Sequence, residues 1–425
     1  MLPPGPSEPP ALQTARWLFR PIAFLEDCRR KYGDAFSVRF LGFQTPMVML
    51  SHPDDIRALY TERAHGLPPG RTVALRPVMG ARSVLLLEGR EHMARRKLML
   101  PSFQGERMRA YESLIRSVAD EEIAKWPKGE AFSLHPHMQA VTLEVIMRAV
   151  FGVSDPERLD KLRRLLPELL GQSASVGLQV RVLLARRRKN GSDPFRDLRV
   201  VLDEIDSVLL AEVAERRTDP ELESREDILS LLSRATFEDG TQMDDTELRD
   251  QLVTLLLAGH ETTATALAWT MDLLLKQPEK LARLEEGDEA YLRAVCWESL
   301  RLRPVVPLAG RRLNAPLESE RVQLEPGTDV TPAIWLTHTR DDFYPEPYAF
   351  RPERFLDKPP STYGWIPFGG GVRRCLGAAF AEFEMRTVLR AIVEAGALKP
   401  ASKRPERIVR RNVTFSPRHG TRVIA

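Results

Sequence analysis

From Glu91 to about Pro304 the chain is written almost continuously in helical periodicity, and beyond Pro304 it breaks into short β-like pieces divided by prolines. This switch restricts the fold more than any other feature. Apolar residues recurring every three or four positions demand helices packed on helices, while short alternating runs demand strands. The N-terminal part mixes the two. Thr14 to Tyr32 reads as an amphipathic helix, Ala35 to Leu50 as a hairpin punctuated by Gly42 and Pro46, and Pro53 to Thr61 as helix again. Residues 66–87 read as a long loop with an apolar tail from Val84 to Leu87, and charged loops are expected at 186–194 and 217–225. Asp244 with Glu247 makes a capping-box-like start to a long helix that Pro278 should terminate. A helix-like run also follows from Ala378 to Leu389, and Asn412 to Ile424 reads as terminal strands. The expectation is a mainly α (α+β) chain forming one domain over 1–425. Its small β-rich lobe comes from about 35–65, 304–340 and 396–425, and its large helical lobe from the remainder.

Composition narrows the function classes. Apolar residues make up 43% and charged residues 28%, as in ordinary globular proteins, and a net charge of +3 gives no case for nucleic-acid binding. Three cysteines without a pairing pattern suit a reducing compartment. No stretch approaches the roughly 18 consecutive apolar residues of a membrane span; the longest, Leu252 to Gly259, is interrupted by Thr254. No basic-then-apolar leader precedes the fold. The expectation is a soluble, cytoplasmic protein.

The chemistry concentrates in Phe368-Gly-Gly-Gly-Val-Arg-Arg-Cys375-Leu-Gly377. Glycines let backbone approach the sulfur closely, while Arg373, Arg374 and a helix start just downstream favour thiolate over thiol. Such a thiolate could be a nucleophile, a redox thiol or a metal ligand. A phosphatase-like cysteine needs an arginine a few residues on, but Ala378, Ala379, Phe380 and Ala381 stand there. Cys28 and Cys296 are too far away in sequence to suggest a redox pair or a zinc site. The glycines do not form a dinucleotide fingerprint either, because Arg374 occupies the third glycine position. What remains is one thiolate on a cofactor-borne metal. The spacing of Phe368, Gly369, Gly371, Arg373, Cys375 and Gly377 resembles the haem-binding loop of the cytochromes P450.

Further motifs occur in the order this family shows. Leu257-Ala-Gly-His-Glu-Thr-Thr263 sits mid-helix, where Gly259 costs roughly 1 kcal/mol relative to Ala. Thr262 could bond back to the preceding turn and open the ladder locally. The stretch resembles the family's oxygen-binding helix, with Ala258 and Gly259 against the cofactor and Glu261 and Thr262 as the proton-relaying pair. Glu298-Ser-Leu-Arg301 and Pro352-Glu-Arg354-Phe355 resemble the signatures whose Glu298, Arg301 and Arg354 equivalents form a buried ion network. His92 and Arg96 share a helix face and resemble the family's ligands of haem propionates. Arg373 and Arg311 resemble further ones, with Arg312 exchanging for Arg311 after a one-residue shift. Pro-Pro-Gly-Pro6 resembles the hinge that follows the anchor of microsomal members.

The resemblance covers the chain from hinge to last strands. It implies haem b (iron protoporphyrin IX) on Cys375, buried between the long central helix and the cysteine-loop helix. It further implies a monooxygenase that inserts one atom of O2 into an apolar small molecule. Electrons would come from NAD(P)H through a separate ferredoxin or flavodoxin with its reductase, and the enzyme would be a monomer. Arg95, Lys97, Arg107, Arg109 and Arg374 are candidates for a basic face that steers an acidic partner. Two other readings are a haem-thiolate isomerase or dehydratase needing no external electrons, and a non-enzymatic haem sensor or carrier; the intact Glu261-Thr262 pair argues against both. Candidate pocket residues are Val84, Leu85, Ala258, Val305, Val306, Leu308, Ala309, Val413, Thr414 and Phe415, with the 168–195 region. Their aliphatic character suits a terpenoid, fatty acid, steroid or polyketide.

Overall fold

The structure is a computed structural model that describes residues 2–425 apart from 62–75, 104, 106, 154, 175–194, 397 and 412. The expected loops at 66–75 and 186–194 and most of the 168–195 pocket region lie outside the described residues. The chain divides into two compact units. One comprises Met1–Pro69, Ile115–Val141 and Thr262–Ala425, the other Gly70–Leu114 and Thr142–Glu261.

The first unit contains every described strand outside isolated bridges. Ala35–Val38 and Met47–Leu50 form the expected hairpin, with Ala35 opposite Leu50. Met47–Leu50 then runs parallel to Asp329–Pro332, which pairs in turn with Arg311–Arg312, so the four-stranded sheet draws on both ends of the chain. Val48, Leu50 and Val330 face a core that also holds Ile56, Leu59, Tyr60, Ile334 and Ile366. Phe36, Val38, Met47 and Met49 face a second core with Trp17, Phe24, Phe40, Trp335 and Phe415. Alternate residues of one sheet thus feed opposite faces.

Several boundaries differ from expectation. The single helix expected over Thr14 to Tyr32 is two, Pro10–Phe19 and Pro21–Tyr32. Pro21 offers no N–H to continue the first helix and holds Arg20 out of helical geometry, at φ −142°. Strand Ala131–Ser133 sits in a region expected to be wholly helical; it pairs with Arg422–Ile424, almost at the other end of the chain. Helix Ala378–Ala395 runs past Leu389 to Gly396, whose positive φ ends it.

In the second unit, Gly89–Met99, Pro156–Ala174, Arg196–Thr218 and Ile228–Arg234 are helical. Arg217, expected in a loop, belongs to the third of these and pairs with Asp245. Asp244 accepts the Glu247 amide at 2.9 Å and starts the long helix Asp245–Leu274, as its sequence suggested. Pro278 does not terminate that helix; it heads the next, Pro278–Glu285, where a missing N–H costs nothing. A short helix, Arg76–Met79, interrupts the expected 66–87 loop.

Candidate functional site

Of the three cysteines only Cys375 is exposed. Burial pushes the Cys28 thiol up to about 11 and that of Cys296 higher still, so both are held as neutral thiols. The Cys375 amide donates to the Phe368 carbonyl at 2.9 Å, closing the loop on itself. Inside it Gly371–Arg373 makes a single 3-10 turn, and Gly369 and Gly371 hold φ of +66° and +64°. Gly370 has no room for a side chain, because a Cβ would collide with the Tyr60 ring; one on Gly371 would stand 2.6 Å from the Tyr60 carbonyl oxygen. Around Gly377, by contrast, a Cβ would meet nothing within 4 Å. The loop is braced on its approach: Phe368 packs against Trp365 at 6.0 Å, and Trp365 Nε1 donates to the Trp297 carbonyl at 3.0 Å.

A buried polar network stands behind this brace. Glu298 and Arg301 are fully enclosed and paired at 2.7 Å, and Arg354 Nε donates to Glu298 at 3.0 Å. The His338 ring joins the network to the cysteine loop. One nitrogen meets the Arg301 carbonyl at 3.0 Å, and the other accepts the Ile366 amide at 2.8 Å. Burial depresses the His338 imidazole to about 3, so it stays neutral with its proton on the nitrogen facing Arg301. Nothing in the local sequence marked His338, since its partners lie far along the chain on both sides.

Arg311 and Arg312 differ in use. Arg312 pairs with Asp329 at 3.1 Å. Arg311 is buried, donates to the Gly310 carbonyl at 2.9 Å, and has no carboxylate at ion-pair distance among the described residues. Its guanidinium lies 5.8 Å from the centre of the Tyr60 ring, whose hydroxyl is buried with no hydrogen-bond partner among the described residues. A Cβ on Gly369 would stand 3.8 Å from that hydroxyl. Beside the cysteine loop, therefore, are a permanent cation and an orphaned hydroxyl, a donor set suited to a carboxylate. With an accessible thiol at a glycine turn, the residues fit a carboxylate-bearing haem. Arg373 is half-buried in the turn two residues before Cys375.

In the second unit His92 is buried and Arg96 half-buried, one turn apart on Gly89–Met99. Two of the candidate steering cations are already committed: Arg95 to Glu247 at 2.7 Å and Lys97 to Glu238 at 2.6 Å. The long helix is continuous through Gly259. A Cβ on Gly259 would stand 3.1 Å from Ile146 Cδ1, so this glycine admits a packed neighbour. Thr142 bonds both the His260 ring, at 3.0 Å, and its carbonyl, at 3.1 Å, immediately before the adjacent, half-buried Glu261 and Thr262. Burial depresses His260 to about 4.

The expected pocket residues separate. Leu85, Ala258 and Val413 are exposed, Val84 and Val305 buried, and Val306, Leu308 and Ala309 intermediate. Phe415 is 1% exposed and packs 6.0 Å from Trp17 in the aromatic core. Thr414 is also enclosed, its hydroxyl spent on the Arg411 carbonyl at 2.9 Å.

An exposed thiol in a glycine turn, braced by a buried Glu–Arg pair on a mainly helical scaffold, is the arrangement of a haem-thiolate protein. The comparisons identify the family: its profile, Cytochrome P450, matches residues 3–422, and the chain belongs to it. Cytochrome P450 135B1 of Mycobacterium tuberculosis is 40% identical over 99% of this chain and 91% of its own length. Cytochrome P450 137 of the same organism is 42% identical over 81% and 73% respectively. Neither name carries a demonstrated activity. The retinoic-acid-bound cyanobacterial CYP120A1 superposes with a TM-score of 0.84 at 23% identity, covering 100% of this chain and 98% of its own. The haem domain of cytochrome P450DA gives 0.83 at 20%, over 100% and 97%. At those identities the likeness is one of fold. Membership makes the protein a haem-thiolate oxidoreductase, in general a monooxygenase. Among the described residues no helix is long and apolar enough to cross a membrane.

Proposed function

We propose that this chain hydroxylates or epoxidises an apolar small molecule of terpenoid, fatty acid, steroid or polyketide type, using electrons from a separate ferredoxin or flavodoxin system. One observation carries the reading: the single accessible thiol lies on a glycine turn beside Arg311 and Tyr60, a cation and a hydroxyl without a carboxylate partner among the described residues. Haem bound there would supply the activation of O2 and the oxidising equivalent. Cys375 would give the thiolate ligand, and the tight turn against Tyr60 would hold its sulfur in one position. Arg311, Arg373, His92 and Arg96 would hold the propionates. Glu261 would deliver protons and the Thr262 hydroxyl would order them, with Thr142 fixing the helix one residue upstream through His260. Leu85 and Ala258, and separately Val306 and Ala309, would each offer aliphatic side chains to the substrate. Arg109 and Arg374, both exposed, remain candidates for steering the electron donor.

The test is ligation. Cys375→Ser should remove the red-shifted Soret band of the ferrous CO form, and Cys28→Ser or Cys296→Ser should leave it. Persistence of the band after all three changes would falsify the assignment.

A further inference from the structure

The segment Gly80 to Val84 is fastened to the long helix Asp245–Leu274 by side chains. Gln251, completely enclosed, grips it from both directions: Oε1 accepts the Val84 amide at 3.0 Å and Nε2 donates to the Arg82 carbonyl at 2.7 Å. One amide side chain thus serves as the strand partner these backbone groups lack. Asp250 Oδ2 accepts the Arg82 amide at 3.0 Å, and its carboxylate occupies the space a side chain at Gly80 would need. Gly80 accommodates the turn at φ +83°. Thr254 donates to the Ser83 hydroxyl at 2.7 Å. The Arg82 guanidinium returns to Asp244 at the helix start.

The spacing gives this clamp its consequence. Residues 251, 254, 258 and 262 follow at three and four, so they lie along one stripe of the helix. The stripe that grips the strap through Gln251 and Thr254 continues into Ala258 and Thr262. Val84 is bonded directly to Gln251, and Leu85, the exposed apolar residue, follows it at once.

We propose that Gln251 is a positioning residue that sets substrate specificity, fixing Val84 and Leu85 at a defined distance along the helix from Ala258. The role rests on the reading that these residues face an apolar substrate. Without the amide, the buried Val84 N–H and the part-buried Arg82 carbonyl lose their partner, and the strap must open to water or find another register. Substrate shape would then be read by a surface with several placements instead of one.

Gln251→Leu and Thr254→Val, compared with the parent as haem-loaded proteins, test this. The readouts are hydrogen exchange over residues 80–87 by mass spectrometry and the spin-shift affinity for fatty acids of graded chain length. Exchange in 80–87 should quicken by about tenfold or more in Gln251→Leu and less in Thr254→Val. Affinity should fall most for the ligand the parent prefers, so that the ranking by length flattens, while the ferrous CO spectrum stays unchanged. Unaltered exchange, or quickened exchange with an unaltered ranking, overturns the proposal. A parent that shifts with no ligand, its strap still loosened in the variants, refutes the apolar-substrate reading and the specificity role with it. Should Gln251→Leu not load haem, Thr254→Val decides by the same two readouts.

Discussion

Glu298 carries the largest stability effect expected of any single side chain near the cysteine loop. It is 0% exposed and accepts four hydrogen bonds: Arg301 Nε at 2.7 Å, Arg301 Nη2 at 2.9 Å, the Arg351 amide at 2.9 Å and Arg354 Nε at 3.0 Å. Arg301 spends its other N–H groups on the carbonyls of His338, Pro347 and Ala349. Its guanidinium is therefore saturated, with Glu298 as its only counter-charge. Glu298→Ala removes that charge and leaves a buried cation, a loss of about 3–5 kcal/mol. Glu298→Gln keeps the volume but turns an NH2 toward donors, costing about 1–3 kcal/mol.

The assay follows from tryptophan placement. All six tryptophans (17, 126, 269, 297, 335 and 365) lie in the unit that contains Glu298, so urea unfolding followed by tryptophan fluorescence reports on that unit. Removing both partners relieves the stranded charge. The double variant Glu298→Ala with Arg301→Ala should accordingly lose about 1–3 kcal/mol less than the two single losses summed. Additive losses, or a single Glu298→Ala loss below about 1 kcal/mol, would refute the reasoning, since an enclosed ion pair cannot be silent.

Gly370→Ala should move Tyr60 or the loop, lowering haem occupancy and shifting the ferrous CO band, read against Gly377→Ala, where the added methyl has open space. Stability should peak near pH 6.5. His338 and His260 have folded values of about 3 and 4, below their unfolded value, so their contribution is complete above about pH 6.5 and drains as pH falls. Glu384, buried with an unpartnered oxygen and raised to about 8, contributes fully below about pH 4.5 and loses that contribution as pH rises. Above about pH 6.5 the glutamate lowers stability by at most about 1.4 kcal/mol per pH unit, a decline that Glu384→Gln should remove in urea titrations; near pH 8 Lys276, depressed by burial to about 8, begins to act with the opposite sign. Thr262→Ala should bind spin-shifting ligands as the parent does yet form about tenfold less product per NAD(P)H, with matching hydrogen peroxide; equal coupling would take the hydroxyl out of the proton path.

What could be read from the sequence was local. The Asp244 cap, the hairpin around Gly42 and Pro46, the Pro53–Thr61 helix and the glycine turn before Cys375 depend on neighbours within a few residues, and each stands where its pattern put it. The differences have two causes, the double use of proline and partners remote in sequence. Pro21 and Pro278 were ambiguous because proline ends one helix and starts another with equal ease. Strand Ala131–Ser133 is too short to show alternation and exists through pairing with Arg422–Ile424. The packing of Phe415 on Trp17 likewise joins residues from opposite ends of the chain. Tyr60, His338 and Gln251 went unmarked for the same reason. Each completes a hydrogen-bonding or packing deficit created by residues remote in sequence.

The cysteine loop is supported by the guanidinium groups of Arg301, Arg311 and Arg354 and by the ring of His338. His338, the one titratable ring in the brace, is driven neutral by burial and uses both nitrogens, one toward Arg301 and one toward Ile366. A protonated His338 could not accept the Ile366 amide, so the approach to Phe368 would lose its anchor. The geometry that presents Cys375 is thus insulated from proton traffic. On the function proposed above, protons would travel by groups outside this brace, through the half-buried Glu261-Thr262 pair. That reading predicts that His338→Gln, which can still accept from Ile366, preserves the CO band, whereas His338→Phe loses it with Glu261 and Thr262 unchanged.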